Sequence, residues 1–405
     1  MLLVAALFLL ASFSAQAGPT VIVLSFDGLR HDYPERSDVP ALDRMEREGM
    51  RAGRMRPVFP SNTFPNHVSL ATGTYPDRHG ILDNRFWDRE KGLYNYGRGA
   101  DESWLEAEPL WAAAERQGVR AATFFWVGSD QPWRGQAVHY NRAPFDSDVP
   151  ESEKVDQILA WLDLPEGERP GLIMSWWHGA DAEGHRYGPD SVEVVAALEG
   201  QDAELGRLLL GIDERAAWTD LTLIVVSDHG MVAVSDSVLP RELLSAEGIR
   251  ARVEAGSSVA HVFLEKSGDL ARAESRLTEV EGLVVYRGDA LPPSLRIAHP
   301  QRNGDLVLLV EPPLTFYEPE FWAGGYLRIR RLWDPGASLG MHGYDPKRPD
   351  MGAAFYALGR GVAPDSRHAE VRSIDVASTV ARLLAIEPPA QNEGVPIPRV
   401  GTALD

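Results

Sequence analysis

Residues 21–28 read Val-Ile-Val-Leu-Ser-Phe-Asp-Gly, a short apolar run that ends in an acid and a glycine. Runs of this kind, rich in β-branched residues, are typical of strands buried on both faces of a parallel sheet. Similar runs occur at residues 120–126, 171–177 and 221–227. The centre of the fold is therefore predicted to be built from these strands.

Helical patterns lie between the apolar runs. They are predicted at residues 40–50, 109–117, 153–162 and 191–210. Strands that alternate with helices favour an α/β fold in which a mostly parallel central sheet carries helices on both faces. Near the end of the chain, residues 353–358 are predicted to return to this sheet and residues 374–384 to form a closing helix.

The sequence pattern changes between residues 240 and 339, where short strand-like segments alternate with proline-rich turns. The segments lie at residues 259–264, 282–287, 305–310 and 326–330. This pattern predicts an inserted α+β lobe at residues 240–339. The catalytic core is then expected at residues 18–239 and 340–405, with the lobe inside the same domain.

The composition excludes several classes of protein. The chain has 405 residues, 44% hydrophobic and 24% charged, a balance typical of folded proteins rather than disordered or fibrous ones. Its net charge of -19 repels polyanions, so long nucleic acid is not an expected partner. Cysteine is absent, which excludes disulfides, thiolate catalysis and cysteine-bound zinc. Any metal ion must be held by His, Asp or Glu.

Residues 1–17 are uncharged, mostly apolar and end in Ala-Gln-Ala, which predicts a secretory signal peptide. We therefore expect an exported protein, and the absence of cysteine suits a bacterial periplasm. An uncleaved anchor or a misplaced start codon are the alternatives, because the usual basic residues are missing before the apolar run. No later stretch is apolar enough to span a bilayer, so no stable membrane insertion is expected after cleavage.

Acids and histidines follow three of the predicted strands. Asp27 ends the first run, Asp228 and His229 end the run at 221–227, and Asp181 and His185 follow the run at 171–177. Ligands of open α/β sheets bind beyond the carboxyl ends of strands. A turn-forming aspartate beside a glycine is the plainer interpretation for any one of these residues, but the three together favour a site.

The spacing of these residues indicates which of them could bind a metal ion together. Asp181 and His185 are four residues apart, so on a helix they share one face and reach a single ion. Asp228 and His229 are adjacent and point in different directions, which suits two neighbouring metals. His342 lies in the glycine-flanked sequence Gly-Met-His-Gly, where the backbone can bend the ring towards a metal; a surface loop histidine is the alternative.

Thr63 lies at the start of a predicted helix, within Pro-Ser-Asn-Thr-Phe-Pro-Asn-His. A hydroxyl at this position is most often an N-cap. The same position also presents backbone N–H groups and the positive end of the helix dipole to an anion such as phosphate. From the residue alone, Thr63 could cap the helix or attack a substrate.

Six motifs occur in order along the chain. They are Asp27-Gly, Thr63-Phe-Pro-Asn-His, Thr72-Gly-Thr-Tyr-Pro-Asp-Arg-His-Gly-Ile, Asp181-Ala-Glu-Gly-His-Arg-Tyr-Gly-Pro, Ser227-Asp-His-Gly-Met and Gly340-Met-His-Gly-Tyr. This series resembles the nucleotide pyrophosphatase/phosphodiesterase branch of the alkaline phosphatase superfamily, and it spans most of the chain. The resemblance implies an alkaline phosphatase-like fold and hydrolysis of phosphodiester or pyrophosphate bonds.

The resemblance also implies two zinc ions per chain. Asp181, His185 and His342 would hold the first ion, and Asp27, Asp228, His229 and the Thr63 oxygen would hold the second. Thr63 would be the nucleophile that forms a phospho-threonine intermediate. Asn84 would donate to a non-bridging phosphate oxygen, with the backbone N–H of Phe64 as its companion.

The substrate pocket is less constrained by sequence. Phe64, Trp176 and Tyr187 are predicted to bind the substrate beside Asn84, with Trp177 and Phe145 as further rings on which a nucleotide base could stack. Packing in the core is the alternative role for most of these rings. The sequence departs from many members of the branch at residues 177–180, which leaves the leaving-group preference open.

Rival functions follow from the same motifs. A phosphomonoesterase of the superfamily is one, although Thr63 with Asn84 favours a diester. A phospholipid or choline-headgroup phosphodiesterase is another, since the chain has 11 tryptophans that could bind an alkylammonium group. A non-catalytic exported zinc-binding protein is disfavoured, because every implied ligand is present. The expected partner is a small nucleotide or another phosphodiester.

Overall fold

The structure is a computed structural model that describes residues 18–95, 103–316, 332 and 338–401. The predicted signal peptide and the predicted strand at 326–330 lie outside these residues. The strands are β1 (Thr20–Phe26), β2 (Met50–Ala52), β3 (Met55–Arg56), β4 (Arg85–Asp88), β5 (Gly92–Asn95), β6 (Ala121–Phe124), β7 (Tyr140–Arg142), β8 (Leu172–Trp177), β9 (Leu221–Val226), β10 (Val232–Val234), β11 (Asp236–Ser237), β12 (Ala251–Ala255), β13 (Val259–Leu264), β14 (Leu283–Arg287), β15 (Leu306–Val310), β16 (Leu314–Thr315), β17 (Leu339–Met341), β18 (Phe355–Gly359), β19 (Ser366–His368) and β20 (Val371–Arg372).

Ten α-helices are assigned within the described part of the chain. They are α1 (Pro40–Glu48), α2 (Thr63–Thr72), α3 (Pro76–His79), α4 (Leu110–Arg116), α5 (Glu151–Leu162), α6 (Gly179–Tyr187), α7 (Val192–Glu214), α8 (Pro240–Ala246), α9 (Leu270–Thr278) and α10 (Asp375–Leu384). The helix predicted at 40–50 ends two residues early, because the backbone enters β2 at Met50. The helix predicted at 191–210 runs on to Glu214.

The main sheet has the strand order β19-β2-β18-β9-β1-β8-β6-β7. Its central strands β9, β1, β8 and β6 are parallel to their neighbours in this series. Strand β18 lies between β9 and β2 and runs antiparallel to both. The prediction of an α/β fold with a mostly parallel central sheet is therefore confirmed.

Alternate residues of strand β1 pack into two different hydrophobic clusters, one on each face of the sheet. Ile22 and Leu24 of β1 pack into one hydrophobic cluster with helices α1, α5 and α7, and Val21 and Val23 pack into a second cluster with α4 and α10. Every residue of β1 is buried. A strand covered on both faces has apolar residues at every position, which explains the unbroken apolar run in the sequence.

A separate four-stranded antiparallel sheet, in the order β12-β13-β15-β14, lies within the segment predicted as the inserted lobe. With α8 and α9 it encloses its own hydrophobic cluster. The chain then returns through β17, which pairs with β10 directly after the β9 loop. In the described residues, no helix combines the length and apolar character that crossing a bilayer requires.

Candidate active site

The site lies where three neighbouring strands of the main sheet end. Strand β1 lies between β9 and β8 and is parallel to both, so their carboxyl ends meet at one edge. Asp27 follows β1, Asp228 and His229 follow β9, and α6 with Asp181 and His185 follows β8. The topology thus brings together residues that are up to 202 positions apart, the difference between 229 and 27.

Asp27, Asp228 and His229 form one cluster, termed here the buried group. The His229 Nε2 atom lies 3.1 Å from Asp228 Oδ2 and 3.5 Å from Asp27 Oδ1. All three side chains are shielded from solvent. Their donor atoms lie within 4.8 Å of one another, close enough for a single ion to contact all three.

Asp181, His185 and His342 form a second cluster, termed here the half-buried group. The His185 Nε2 atom lies 3.1 Å from His342 Nε2 and 3.3 Å from Asp181 Oδ2. Asp181 and His185 share one face of α6, as their spacing predicts, and His342 comes from the loop after β17. The His185 side chain is 34% exposed, so this group opens towards solvent.

The two groups touch each other. The rings of His229 and His342 stack with their centroids 3.6 Å apart and an interplanar angle of 14°. Thr63 Oγ1 lies 3.3 Å from His229 Nε2. The hydroxyl of Thr63 thus lies beside the buried group, next to the ring of His229 that stacks on His342.

Backbone carbonyls set the tautomers of the three histidines. The Nδ1 atoms of His185, His229 and His342 lie 2.9, 2.9 and 3.2 Å from the carbonyl oxygens of Gly340, Gly230 and Ser61, respectively. A carbonyl accepts only, so each Nδ1 carries the proton and each Nε2 is left with its lone pair. This is the usual arrangement of histidines that bind a metal through Nε2.

The carboxylates also fit a cation. Asp27 Oδ1, Asp181 Oδ1 and Asp228 Oδ2 are buried and have no hydrogen-bond partner among the described residues. Buried carboxylate oxygens without donors are costly unless a positive charge faces them. Two imidazole nitrogens with lone pairs 3.1 Å apart are likewise favourable only around a shared ion. The donor set of both groups therefore fits divalent metal ions.

The pKa directions reflect the crowding of acids and histidines. Burial and the neighbouring Asp228 carboxylate raise the pKa of Asp27 well above its usual value. Burial also favours the neutral form of Asp228, but His229 and His67 outweigh it and lower the pKa of Asp228. For His185, burial is outweighed by Asp181, which raises the pKa of the imidazole.

Thr63 is the first residue of α2, and Asn62 precedes it in extended conformation without a side-chain cap. The Thr63 hydroxyl does not cap the helix that it begins, because a cap belongs to the residue before the first helical one. His67, one turn later, donates through Nδ1 to the Thr63 carbonyl oxygen at 2.8 Å. Its ring is buried between Trp126 and Trp176.

Asn84 lies beside the nucleophile candidate. The backbone N–H of Phe64 donates to Asn84 Oδ1 at 2.8 Å. This bond fixes the orientation of the Asn84 amide, because only its oxygen accepts. The Phe64 N–H, which the resemblance implies as a partner for phosphate, is thus bonded to Asn84 itself in this structure.

A hydrogen-bonded chain behind Thr63 was not predicted from the sequence. Asn62 Nδ2 donates to Asp83 Oδ1 at 2.7 Å, and Ser257 Oγ lies 3.0 Å from Asn62 Oδ1. Ser257 Oγ also contacts the carbonyl oxygen of His342. These hydrogen bonds link the loop before α2, the segment predicted as the inserted lobe and the loop that carries His342. Only the position of Asp83 next to Asn84 could have suggested any of them.

The predicted substrate-binding rings separate into different environments. Trp176 donates its indole N–H to Asp27 Oδ2 at 2.8 Å, meets the edge of Phe64 at 6.5 Å between centroids, and stacks on Phe145 at 4.5 Å. Trp177 stacks on Phe26 inside the core. Tyr187 ends α6, where the Arg186 guanidinium lies 5.8 Å from its ring centroid.

Comparison with known proteins identifies the family to which this chain is similar. A sequence profile of the family described as type I phosphodiesterase/nucleotide pyrophosphatase matches residues 21–345. Venom phosphodiesterase CdcPDE of Crotalus durissus collilineatus is 29% identical over 389 residues, which covers 92% of this chain and 45% of that protein. Ectonucleotide pyrophosphatase/phosphodiesterase family member 1 of Homo sapiens is 30% identical over 388 residues, which covers 92% of this chain and 41% of that protein.

The chain thus spans less than half the length of these two relatives. Among solved structures, murine ectonucleotide pyrophosphatase/phosphodiesterase 5 superposes with a TM-score of 0.81 at 25% sequence identity, covering 91% of this chain and 96% of that one. The fold and the sequence profile agree. The protein belongs to the type I phosphodiesterase/nucleotide pyrophosphatase family.

Proposed function

We propose that this protein is a two-zinc phosphodiesterase and nucleotide pyrophosphatase that works through a phospho-threonine intermediate on Thr63. One observation carries the proposal: Thr63 Oγ1 lies 3.3 Å from His229 Nε2, beside the stacked rings through which the buried group and the half-buried group meet. A nucleophile at the junction of two metal-ligand clusters is the arrangement that in-line displacement at phosphorus requires.

The donor chemistry favours zinc among divalent metals. Each group offers imidazole nitrogen and carboxylate oxygen, which zinc accepts in catalytic sites that leave positions open. Asp181, His185 and His342 would hold one ion, and Asp27, Asp228 and His229 the other, together with the Thr63 oxygen. When bound, zinc supplies positive charge that lowers the pKa of a hydroxyl and balances the negative charge of the phosphoryl group.

The residues of the chain then have separate roles. Thr63 Oγ1 attacks phosphorus and the bond to the leaving oxygen breaks, after which water cleaves the phospho-threonine and restores the hydroxyl. Thr63 is the first residue of a ten-residue helix, and the positive end of the helix dipole favours negative charge beside it. Asn84 is held beside Thr63 through the Phe64 N–H, and its Nδ2 group remains available to donate to a phosphate oxygen.

Nucleotides are the proposed substrates. The relatives are named as phosphodiesterases and nucleotide pyrophosphatases, and an inactive threonine-to-alanine variant of murine family member 5 has been solved in complex with AMP. In this chain, Phe64 follows the nucleophile and meets Trp176 edge to face, which places rings next to the site on which a base can stack. The net charge of -19 favours small substrates over long nucleic acid.

Export is part of the proposal. The relatives carry the names of venom and ectonucleotide enzymes, which act outside cells. The leader-like composition of residues 1–17 supports the same location, and a bacterial periplasm is the compartment that we propose.

The test combines one variant with one substrate panel. Thr63→Ala should lower turnover by several orders of magnitude, because the attacking oxygen is gone, while the zinc content stays near two per chain. Thr63→Ser keeps a hydroxyl and is the matched control that should retain turnover. Wild-type activity in the Thr63→Ala protein would exclude the phospho-threonine mechanism.

The panel pairs a nitrophenyl ester of a nucleoside monophosphate with nitrophenyl phosphate and nitrophenyl phosphocholine. We expect the nucleoside diester to be preferred by kcat/KM. A preference for the monoester or for the choline ester would leave the Thr63 mechanism in place and overturn the substrate assignment.

A further inference from the structure

A second cavity lies outside the candidate active site, between the core and the inserted segment. Its volume is about 210 Å³, and its walls come from residues 56–59, 294–296, 346–347 and 372–374, together with Tyr75. This volume is below the roughly 300–1,000 Å³ of pockets that enclose drug-sized ligands. The cavity therefore suits a ligand smaller than a nucleotide.

The walls of this cavity are basic. Four cationic side chains line it, from Arg56, Arg296, Lys347 and Arg372, and no aspartate or glutamate is among the lining residues. This concentration of positive charge stands out in a chain whose net charge is -19. We refer to it as the basic cavity.

Two of the four cations are already neutralised. Arg296 pairs with Asp77 at 2.7 Å and with Glu393 at 2.8 Å. Arg372 pairs with Asp375, which accepts from two guanidinium nitrogens. These pairs fix two walls of the cavity and leave the attraction for an anion to the other two cations.

Arg56 and Lys347 supply that attraction. The only carboxylate near Arg56 in the described ion pairs is Glu370 at 3.5 Å, and Glu370 is bonded more closely by Arg54. The described ion pairs give the Lys347 ammonium group no carboxylate partner, and Lys347 is exposed at the rim. Two cations of one cavity are thus largely free to bind a doubly charged anion.

A third observation concerns Ser373, which lines the same cavity. Ser373 is only 1% exposed, and its Oγ has no hydrogen-bond partner in the described part of the chain. A buried hydroxyl without a partner costs free energy unless something binds it. Because Oγ has almost no accessible surface, an oxyanion in the cavity would accept from this group once the side chain turns towards it.

We propose that the basic cavity binds a small phosphate-class anion, inorganic phosphate or pyrophosphate, through Arg56, Lys347 and Ser373. Guanidinium, ammonium and hydroxyl donors together match the oxygens of such an anion. The site shares no side chain with the two metal-ligand groups, so the proposal stands independently of the proposed function.

The position of the cavity gives such an anion contact with two segments of the active site. Arg56 and residues 57–59 lead directly to Thr63, and the Val58 N–H is tied to Asn66 of α2 at 2.7 Å. Lys347 follows His342 by five residues. A bound anion would therefore bridge the segment that leads to Thr63 and the loop that carries His342.

The absence of cysteine makes a local probe available. Ser294→Cys places one thiol at the exposed rim of the cavity, and a trifluoromethyl tag on it reports occupancy by ¹⁹F NMR. Titration with inorganic phosphate should shift this resonance saturably. The same tag at Ser245→Cys, exposed on α8, should not shift.

Arg56→Ala with Lys347→Ala, in the Ser294→Cys background, should weaken phosphate binding at the tag by about tenfold or more, the loss expected for charge-assisted hydrogen bonds. Ser373→Ala should weaken it by a smaller factor. Arg250→Ala with Lys266→Ala removes equal charge from the surface of the inserted segment and should leave the affinity unchanged. Turnover of the untagged Arg56→Ala/Lys347→Ala protein should stay at the wild-type level, which also shows that it folds.

A second arm titrates pyrophosphate. Tighter binding than that of phosphate would identify the larger anion as the ligand, and equal or weaker binding would identify phosphate. An unshifted resonance, an equal shift with sodium chloride at the same ionic strength, or an unchanged affinity in the Arg56→Ala/Lys347→Ala protein would each overturn the proposal.

Discussion

The buried group and the half-buried group use the same kinds of donor but are built in different ways. The buried group has two carboxylates and one imidazole, all on residues that directly follow central strands. The half-buried group has one carboxylate and two imidazoles, on a helix and on a loop that returns from the inserted segment. One group is formed within the main sheet, and the other requires two separate segments to dock.

Backbone donors hold the buried group in place. Asp228 Oδ1 accepts from the N–H groups of Gly28 at 3.1 Å and His229 at 3.0 Å, and Ser227 Oγ lies 3.3 Å away. The half-buried group depends instead on close packing of α6 against β17: a Cβ on Gly340 would lie 2.3 Å from the Gly184 carbonyl oxygen. A preformed group and an assembled group of metal-ligand side chains thus lie side by side in the candidate active site.

The largest expected effects are on turnover and metal content, and the free energy of unfolding then distinguishes the two groups. Asp228→Ala and Asp181→Ala should each lower turnover by about 10³-fold or more and remove one metal ion per chain. In metal-free protein, only Asp228→Ala leaves backbone N–H groups buried without acceptors, so it should lower the free energy of unfolding by about 2–4 kcal/mol. Asp181→Ala also removes a partner of His185 but strands no backbone N–H group among the described residues, so it should lower the free energy of unfolding by a smaller amount. Urea unfolding in the presence of a chelator measures both.

Asp236→Ala, at an exposed position in β11, is the matched control and should leave turnover, metal content and the free energy of unfolding unchanged. Equal destabilisation by Asp228→Ala and Asp181→Ala would contradict the distinction between a preformed and an assembled group.

A second effect concerns pH. In metal-free protein, burial and Asp228 raise the pKa of Asp27, and Asp228 raises the pKa of His229 against the effect of burial. In the half-buried group only His185 has a raised pKa, because burial and the nearby His229 lower the pKa of His342. The proposed zinc ions compete with protons for these side chains, so raised pKa values weaken zinc binding at low pH.

The zinc affinity of the buried group should therefore fall more steeply with acidification, with a slope approaching two protons per ion against one for the half-buried group. The slope is expected below the raised pKa values and should vanish above them, where both groups are already deprotonated. Chelator competition over a pH series measures it, with Asp181→Ala reporting the buried group and Asp228→Ala the half-buried group. Equal slopes would refute the assignment of protons.

The smallest effect concerns the wall behind the half-buried group. Ser257→Ala removes the hydroxyl that contacts Asn62 Oδ1 and the His342 carbonyl oxygen. Loss of one neutral hydrogen bond should speed zinc release from the half-buried group by about threefold to tenfold and leave the buried group unchanged. Stopped-flow chelation resolves the two phases. Ser245→Ala, an exposed serine of α8, is the control, and an equal effect on both phases would argue against a local role.

The sequence predicted the preformed group better than the surroundings of the assembled one. Apolar runs marked the central strands, and parallel strands must end at one edge, so Asp27, Asp228 and His229 were predictable as neighbours. Ser257 contacts Asn62 across 195 positions of the chain, and no local pattern encodes such a contact. The structure also distributes the aromatic residues in a way that propensity does not specify, with Trp177 stacked on Phe26 and Trp176 in contact with Phe64 and Phe145.

The start of a helix could also be predicted where the sequence carries a local signal. Pro40 begins α1 as expected, since proline is favoured in the first turn of a helix. The roles of Thr63 and Asn84 and the two-zinc ligand set remain predictions that the experiments above address.

The return of the chain through β17 to supply His342 has a consequence for biosynthesis. All three residues of the buried group have been made once residue 229 leaves the ribosome, but the half-buried group waits for residue 342. A nascent chain, or a product cut within the inserted segment, carries the residues of only one complete ion site. Under the proposed two-ion mechanism, such a chain would lack hydrolase activity until the segment that carries His342 has been synthesised and has folded.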